Sequence, residues 1–285
     1  MNPVVSRGGR RSLSAFFVLT LVFLYAPIAI LILFSFNDRE IVSFPWEGFT
    51  LRWFGEFADN EELIRSIETS LLVATTTGVL TVVLGIPASI VLVRRRFFAK
   101  GAVSGVLLAP LVIPYVVFGI ALLVLFNTIG ITLSPFTIAI GHIVVSIPFA
   151  ILTLVPRLER ISVRLEEAAR DLGAGGWYAF RTITLPLLAP AVLSAFIIVF
   201  TLSFDEVVIA SFIGGESATF PLYLFSQLRL PRNLPQVIAV AVVVMGASAM
   251  IVIAAEVWRR ISDRRLETQM RLADPASAAP AGGEG

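Results

Sequence analysis

The stretch from Glu166 to Pro186, EEAARDLGAGGWYAFRTITLP, carries charges of both signs and lies between two long apolar segments. Glu166 precedes Arg170 by four residues, which is the favourable order for an ion pair on a helix surface. Gly173 can adopt the left-handed conformation that commonly ends a helix. We therefore predict two short helices, the first ending near Gly173 and the second running from Trp177 to Pro186. Pro186 also suits the first turn of a following helix, where its missing N–H costs little.

Apolar segments long enough to cross a bilayer surround this stretch on both sides. Hydrophobic residues make up 57% of the 285-residue chain, charged residues make up 15%, and the mean hydropathy is +0.89. This composition excludes an ordinary soluble domain and predicts an all-α, polytopic membrane protein with six transmembrane helices. The predicted spans are Leu13 to Phe36, Glu68 to Val93, Ala102 to Asn127, Phe136 to Val155, Leu187 to Ile213 and Gln236 to Trp258.

The spans divide the chain into three parts. Residues 1–12 are a polar N-terminal segment, residues 13–258 form the transmembrane domain with the polar loop (about 156–186) inside it, and residues 259–285 form a tail. The tail is basic at first and then rich in Pro, Ala and Gly from Asp274, a composition that predicts disorder. In the loop before the second span, Gly48 to Phe54 is predicted to hold its aromatic rings at the level of the lipid headgroups.

The distribution of basic residues predicts the topology. Of the 22 Lys and Arg residues, 17 lie in the segments on the side of both termini and the polar loop, and five lie on the other side. Loops rich in Lys and Arg stay in the cytoplasm, so both termini and the polar loop are predicted to be cytoplasmic. This prediction uses no motif.

Several kinds of chemistry are excluded by the residues that the chain lacks. It has no cysteine and a single histidine, which excludes thiol catalysis and leaves only carboxylates for a metal site. No HExxH, GxSxG or GxxxxGK[ST] sequence occurs, so the usual zinc-protease, hydrolase and phosphate-loop motifs are absent. We therefore expect no catalytic site, no metal, no cofactor and no nucleic-acid partner. For His142, near the start of the fourth span, a hydrogen bond between helices is more typical than a proton relay.

Two adjacent acids, Asp205 and Glu206, lie in the fifth predicted span. Ionisable groups within a span are costly, so they tend to face a water-filled cavity or a partner. Neighbouring side chains point about 100° apart on a helix, so at most one of the two can face a narrow pathway. Two interpretations stay open. One or both acids line a pathway that favours a cationic solute, or both reach interfacial water near the outer end of the span.

From Glu167 onward, the polar loop reads E-A-A, three residues, Gly173, nine residues, Ile183, one residue and Leu185-Pro186. This pattern resembles the EAA loop of the membrane subunits of bacterial ABC importers in every fixed position and in both spacings. The layout resembles type I importer permeases, and four blocks are most similar to the second permease subunit of spermidine/putrescine importers. The blocks are SFN at Ser35 to Asn37, GFTLRWF at Gly48 to Phe54, EEAARDLGA at Glu166 to Ala174 and FTLSFDEVVIASFIGG at Phe200 to Gly215.

The resemblance implies a transport subunit of the bacterial inner membrane, embedded in lipid and without enzymatic activity. It implies two ATPase subunits that bind ATP-Mg, a second permease subunit with a heterodimer expected, and a periplasmic solute-binding protein. The polar loop would then form the coupling helix that docks on the ATPase. The residues to which the resemblance assigns this coupling are Glu166, Glu167, Ala168, Ala169, Arg170, Asp171, Gly173, Ile183, Leu185 and Pro186.

The cargo stays open at this point. A polyamine such as spermidine or putrescine is expected from the resemblance, but permeases for opines, amino-acid-like solutes, aminophosphonates, sulfate and iron look alike. A stand-alone ion-coupled carrier would need titratable groups near mid-depth and usually inverted repeats. The acids of the fifth span lie near one end, and we see no repeat. A membrane-anchored scaffold without a solute pathway is a third alternative, and only the ABC importer would co-purify with an ATPase.

Overall fold

Apolar helices account for most of the chain. The computed structural model describes residues 7–56, 59–229 and 234–273, and within these ranges it contains helices and no strand apart from an isolated bridge between Asn37 and Phe49. The helices are α1 (Arg7–Phe34), α2 (Arg52–Glu56), α3 (Glu61–Arg94), α4 (Lys100–Leu108), α5 (Tyr115–Thr128), α6 (Pro135–Arg160), α7 (Val163–Asp171), α8 (Gly176–Ala179), α9 (Leu185–Asp205), α10 (Val208–Ile213), α11 (Phe220–Gln227) and α12 (Leu234–Ala273). A 3₁₀ turn, Ala109–Leu111, follows α4, and a π-helical turn, Phe180–Thr184, joins α8 to α9.

By length and composition, five helices of the described residues can cross a membrane. They are Arg11–Phe34, Glu61–Arg94, Pro135–Arg160, Gly176–Asp205 and Leu234–Ala254. A sixth crossing results if Lys100–Leu111 and Tyr115–Thr128 are counted as one span, bent by 101°. The all-α, polytopic membrane fold predicted from the sequence is therefore confirmed.

Prolines cause the bend in the third span. Pro110 lies in the 3₁₀ turn, and Pro114 directly precedes α5. Proline lacks the N–H that continues a helix and also disfavours the helical conformation of the residue before it. Together the two prolines turn the chain by about a right angle.

Several predicted boundaries are wrong. The fifth span, predicted as Leu187 to Ile213, begins at Gly176 and ends at Asp205, and α10 is a separate helix after a break. The last span, predicted as Gln236 to Trp258, corresponds to Leu234–Ala254, and its helix continues to Ala273. The disorder predicted for residues 274–285 lies outside the described residues, as do residues 1–6 of the polar N-terminal segment.

The chain divides into two units by its internal contacts. One comprises Met1–Ile64 with Leu224–Ala247, and the other comprises Arg65–Tyr223 with Ser248–Gly285. The second unit holds two clusters of buried apolar side chains. The first cluster, from α3, α5, α6 and α10, consists of Val73, Phe126, Ile138, Ala139, Val145, Ile209, Ala210 and Ile213. The second, mainly from α3, α6 and α9, consists of Val82, Ala150, Leu154, Leu158, Ile161, Leu188, Ala195 and Val199.

In the unit that contains α1 and α2, a buried tryptophan orders the loop between them. Trp53 is 5% exposed, and its indole N–H donates a hydrogen bond of 2.9 Å to the carbonyl of Asn37. The Asn37 side-chain oxygen accepts the N–H of Glu47 at 3.1 Å. Phe36 stacks on Phe49 with 5.2 Å between ring centroids. Trp53 therefore packs inside this loop. The position of the segment's rings at the level of the lipid headgroups stays a prediction.

Gly141 of α6 lies against side chains of α5 and α10. A Cβ at this position would lie 2.7 Å from Ile213 Cδ1 and 3.0 Å from both Ile209 Cγ2 and Leu122 Cδ1. We expect Gly141→Leu to lower the free energy of unfolding by about 1–3 kcal/mol, because the added atoms must displace packed side chains. Thermal unfolding of the purified protein in detergent measures this loss. Gly105→Leu in α4 is the matched control, since nothing lies within 4 Å of its Cβ position, and an equal loss in both variants would contradict the expectation.

Candidate functional site

The first helix of the polar loop, α7, forms and ends as the sequence predicts. Its Glu, Ala and Arg residues are good helix formers. Gly173 follows with φ of +88°, a conformation that side chains other than hydrogen rarely adopt. The Gly173 N–H donates to the Arg170 carbonyl and the Ala174 N–H donates to the Ala169 carbonyl, each at 2.9 Å. These two hydrogen bonds form a Schellman motif, which satisfies the last carbonyls of α7 and turns the chain sharply.

The second short helix does not end at Pro186, and this prediction is wrong. Instead α8 begins at Gly176 and continues through the π-helical turn into α9, so that Gly176–Asp205 is one membrane-length helix. At the end of the π turn, the Leu185 N–H donates to the Phe180 carbonyl, five residues earlier. A π turn is a single-turn bulge within a helix, and Pro186, which has no N–H, lies two residues after its last residue, Thr184.

The outward surface of the loop is partly charged and partly apolar. Glu167, Ala168, Arg170 and Asp171 are exposed on α7. Next to them, Leu172 is 90% exposed, Trp177 73% and Tyr178 64%. This segment is too polar to be a membrane span. Large apolar side chains exposed beside charged ones on such a segment are typical of a protein-binding surface. We call Glu167, Ala168, Leu172, Trp177 and Tyr178 the outer face of the loop.

Glu166 lies about 100° around α7 from Glu167, and its side chain turns towards the bundle. Its Oε1 accepts a hydrogen bond of 2.9 Å from the Thr184 hydroxyl and lies 3.5 Å from Arg94 Nη2 at the end of α3. The predicted ion pair between Glu166 and Arg170 is therefore wrong, because the carboxylate is engaged by α3 and by the π turn. Arg94 was missed in the sequence because it lies 72 residues away.

The remaining residues of the loop lie on the stem that joins it to the bundle. Ile183 and Leu185 are half-buried, and Pro186 is exposed. Beside them, Arg157 of α6 donates from Nε to the Leu187 carbonyl at 3.0 Å. Of the residues predicted to act in coupling, those up to Gly173 thus lie on α7 and its C-terminal turn, and the last three lie where the π turn meets α9.

The break between α9 and α10 is held by Glu206. Its carboxylate accepts the N–H groups of Val208 at 2.9 Å, Ile209 at 2.9 and 3.0 Å, and Ala210 at 3.3 Å. These groups belong to the first turn of α10, where backbone N–H groups have no partner within the helix. Glu206 therefore acts as a cap for α10, a role that the sequence analysis did not foresee.

His142 joins the same buried cluster from α6. Its Nδ1 lies 2.8 Å from Ser203 Oγ, and its Nε2 lies 3.1 Å from Glu206 Oε2. His142 is fully buried and Glu206 is 8% exposed, so neither group is open to a solute. The expected role of His142 as a hydrogen-bonding group between helices is confirmed. Asp205, by contrast, is exposed, so the two adjacent acids occupy different environments.

The capping role of Glu206 can be tested by comparing its substitution with that of its exposed neighbour, Asp205. Glu206→Ala leaves His142 and the first N–H groups of α10 without their acceptor. We expect it to lower the free energy of unfolding by about 3 kcal/mol or more, the usual cost of breaking a buried charged network. Asp205→Ala, at an exposed position, should stay within about 0.5 kcal/mol of the wild type. Thermal unfolding of both variants in the same detergent checks this, and similar values for the two would refute the capping role.

Among the described residues, no group of three His, Asp or Glu side chains could hold a metal ion. A set of apolar spans, a break between helices with a capped end and a polar loop together define a polytopic helical membrane protein.

Comparison with known proteins identifies the family. Residues 81–268 match the family described as the binding-protein-dependent transport system inner membrane component, and the chain belongs to this family. It is 36% identical to the spermidine/putrescine transport system permease protein PotC of Escherichia coli (strain K12), over 88% of this chain and 95% of that protein. It is 35% identical to the putrescine transport system permease protein PotI of the same organism, over 81% and 84% of the two chains.

Solved structures support the fold independently of the sequence. The chain superimposes with a TM-score of 0.69 on a subunit of a bacterial ABC transporter involved in the import of alginate, at 18% identity over 90% of this chain and 99% of that one. It also matches the MetNI methionine ABC transporter with a TM-score of 0.56, at 19% identity over 70% and 95% of the chains. The type I ABC importer permease fold expected from the sequence is confirmed.

The family places this chain in the inner membrane as a transport subunit without a catalytic role. A permease subunit of an ABC importer works with a separate ATPase and with a periplasmic binding protein. The apolar spans and the family agree that the chain is a membrane protein.

Proposed function

We propose that the chain is a permease subunit of a polyamine importer, passing spermidine or putrescine across the inner membrane. The observation that carries the proposal is the similarity along most of the chain to PotC and PotI, which are named for these solutes. An exposed acid beside the break in the fifth span also suits a cationic solute. The same machinery for an opine, an amino-acid-like solute, an aminophosphonate or iron is the alternative.

The proposed energy input is the outer face of the polar loop, which docks on an ATPase subunit. Its exposed Leu172, Trp177 and Tyr178 support this assignment, because burying such side chains favours association. The small side chains of Ala168 and Ala169 let the partner approach the helix closely, and Glu167 is available for a basic residue of that partner. When ATP-Mg is bound, the two ATPase subunits move towards each other and push the loops. This movement switches the pathway between inward- and outward-facing states.

In this proposal, both termini and the polar loop are cytoplasmic. The count of basic residues favours that side, and the structure supports it in one respect. The basic end of α3, which continues into Arg95 and Arg96, reaches the start of α7, since Arg94 donates to the Ile161 carbonyl at 2.9 Å. The most basic short connection and the polar loop thus share one end of the bundle, as the positive-inside rule requires.

A second permease subunit completes the pathway, and a heterodimer follows from the likeness to two-permease systems. The apolar surface of α5 supports contacts with lipid or with such a subunit, because Val116, Val117 and Val124 are 49%, 57% and 59% exposed. The periplasmic binding protein delivers its solute on the opposite side from the polar loop.

Genetic complementation tests the cargo directly. In cells that lack the chain and all other polyamine uptake, restoring it together with its ATPase, second permease and binding protein should restore uptake of labelled spermidine or putrescine. Uptake of an opine or of iron instead, with no polyamine uptake, would overturn the cargo assignment and leave the transport role intact.

Changes in the loop should separate ATP hydrolysis from transport. Gly173→Pro removes the left-handed turn, and Ala168→Trp places a large ring on the outer face. Because each change alters the fit of the lever and not the spans, we expect the protein to insert normally while uptake per ATP hydrolysed falls at least about tenfold, within the usual range of coupling energies. Proteoliposomes containing the whole complex measure the ratio. Ala102→Trp, at an exposed position of α4, is the control, and normal coupling in both loop variants would refute the lever.

Neutralising Asp205 tests the proposed solute pathway. Asp205→Asn removes a carboxylate that attracts a cationic solute, so polyamine uptake should fall about tenfold, corresponding to about 1.4 kcal/mol of interaction. Immunoblotting checks that the protein level is unchanged. Glu216→Gln, at another exposed acid of the same unit, should transport normally. Unchanged uptake in Asp205→Asn would remove this residue from the pathway.

A further inference from the structure

The last residue of α3, Arg94, contacts two parts of the chain beyond its own helix. Its Nη2 donates to the Ile161 carbonyl at 2.9 Å and lies 3.5 Å from Glu166 Oε1. Ile161 directly follows α6, so the guanidinium also supplies a cation and a donor where the last carbonyls of that helix lack partners. A single side chain thereby joins the ends of α3 and α6 to the start of α7.

Glu166 connects the same junction to the fifth span. The oxygen that faces Arg94 also accepts the hydroxyl proton of Thr184, the last residue of the π turn. Thr184 is 2% exposed and thus fixed within the bundle. The carboxylate therefore links α7 sideways to α3 and to the base of α9, in addition to the backbone connections of α7.

The contact between Arg94 and Glu166 is partly buried, which favours a strong interaction between α3 and α7. The Arg94 and Glu166 side chains are only 13% and 17% exposed, so salt and water screen their attraction less than on an open surface. Arg94 Nε is buried, and no group in the described part of the chain accepts its proton. Because arginine presents its donors as a planar fork that fits a carboxylate in pairs, this second donor is available if α7 moves closer to α3.

The backbone alone gives α7 a weak mechanical connection to the spans. At one end Ile161 and Ser162 separate it from α6, and at the other Gly173, Gly175 and Gly176 follow within five residues of its end. Glycines allow wide backbone rotation. A push on the outer face would therefore rotate α7 about these joints unless a lateral contact passed the movement on.

We propose that Arg94 and Glu166 form a strut that transmits the movement of α7 into α3, with Arg94 as a positioning residue for coupling. This inference rests on the proposed docking of an ATPase on the outer face. It also separates two adjacent acids of the loop: Glu167 faces the ATPase, and Glu166 holds the lever to the bundle.

Charge reversal in the full complex tests the strut. We expect Arg94→Glu and Glu166→Arg to keep ATPase co-purification and basal ATP hydrolysis, while uptake per ATP falls about tenfold because the contact becomes repulsive or lost. Combining the two changes restores an attractive pair, so uptake per ATP should return to within about threefold of the wild type, the signature of a direct pairwise interaction. Arg96→Glu with Glu159→Arg, both at exposed positions outside the outer face, makes the same changes of charge and should show no such rescue.

A covalent link gives a second measurement in case the reversed charges impair folding. The chain has no cysteine, so Arg94→Cys with Glu166→Cys introduces the only two thiols. A short bismaleimide that joins them replaces the strut and should raise uptake per ATP at least about fivefold over the unlinked double variant, because the two helices again move together.

Each result bears on the strut separately from the proposed function. Normal coupling in both single charge variants, failure of the combined charges to rescue, or loss of uptake on cross-linking would overturn the strut. Loss of ATPase binding in Glu166→Arg would also overturn it, since Glu166 would then face the partner. Failure of the wild-type chain to co-purify with an ATPase would instead overturn the proposed function.

Discussion

Hydrocarbon contains no water to satisfy backbone N–H and C=O groups, so each break in a membrane helix needs partners from the protein itself. The break after α9 meets this requirement with the Glu206 carboxylate, which accepts N–H groups from the first turn of α10. At the other end of α10, the Thr137 hydroxyl lies 2.7 Å from the Ile213 carbonyl. The short helix α10 can therefore lie within the apolar core instead of at its surface.

The carboxylate that caps α10 needs a partner of its own, because a buried charge is costly unless it is hydrogen-bonded on its remaining sites. His142 supplies that partner from α6 and is itself fixed by Ser203. The cluster thus ties α6, α9 and α10 together. The cluster also explains why the two adjacent acids differ. Glu206 is buried and hydrogen-bonded to His142 and α10, whereas Asp205 stays exposed next to the break.

In the polar loop, the backbone groups at the helix ends find their partners in a different way. Its breaks are closed by backbone hydrogen bonds and by glycine at a left-handed position, so few side chains are needed to hold the turn. The side chains of the outer face are consequently free for a partner. On α7, the charged side chain that turns inward is Glu166, which meets Arg94. The break after α9 is held by a side chain, and the turn after α7 is held by the backbone, because both must satisfy the same free N–H and C=O groups.

By itself, the sequence determined the class of fold, the approximate spans, the end of α7 at Gly173 and the family resemblance of the loop. These features depend on the length of apolar runs and on residues a few positions apart, which are readable along the chain. It did not determine the break at Glu206, because apolar residues on both sides of the acids favour an uninterrupted helix. The sequence also did not predict that α8 continues into α9, because Pro186 suggested a helix boundary and the structure has a π turn there instead. Only the tertiary structure decided the partners of His142 and Glu166, which lie 64 and 72 residues from them, because such pairings depend on how the helices pack and leave no local pattern.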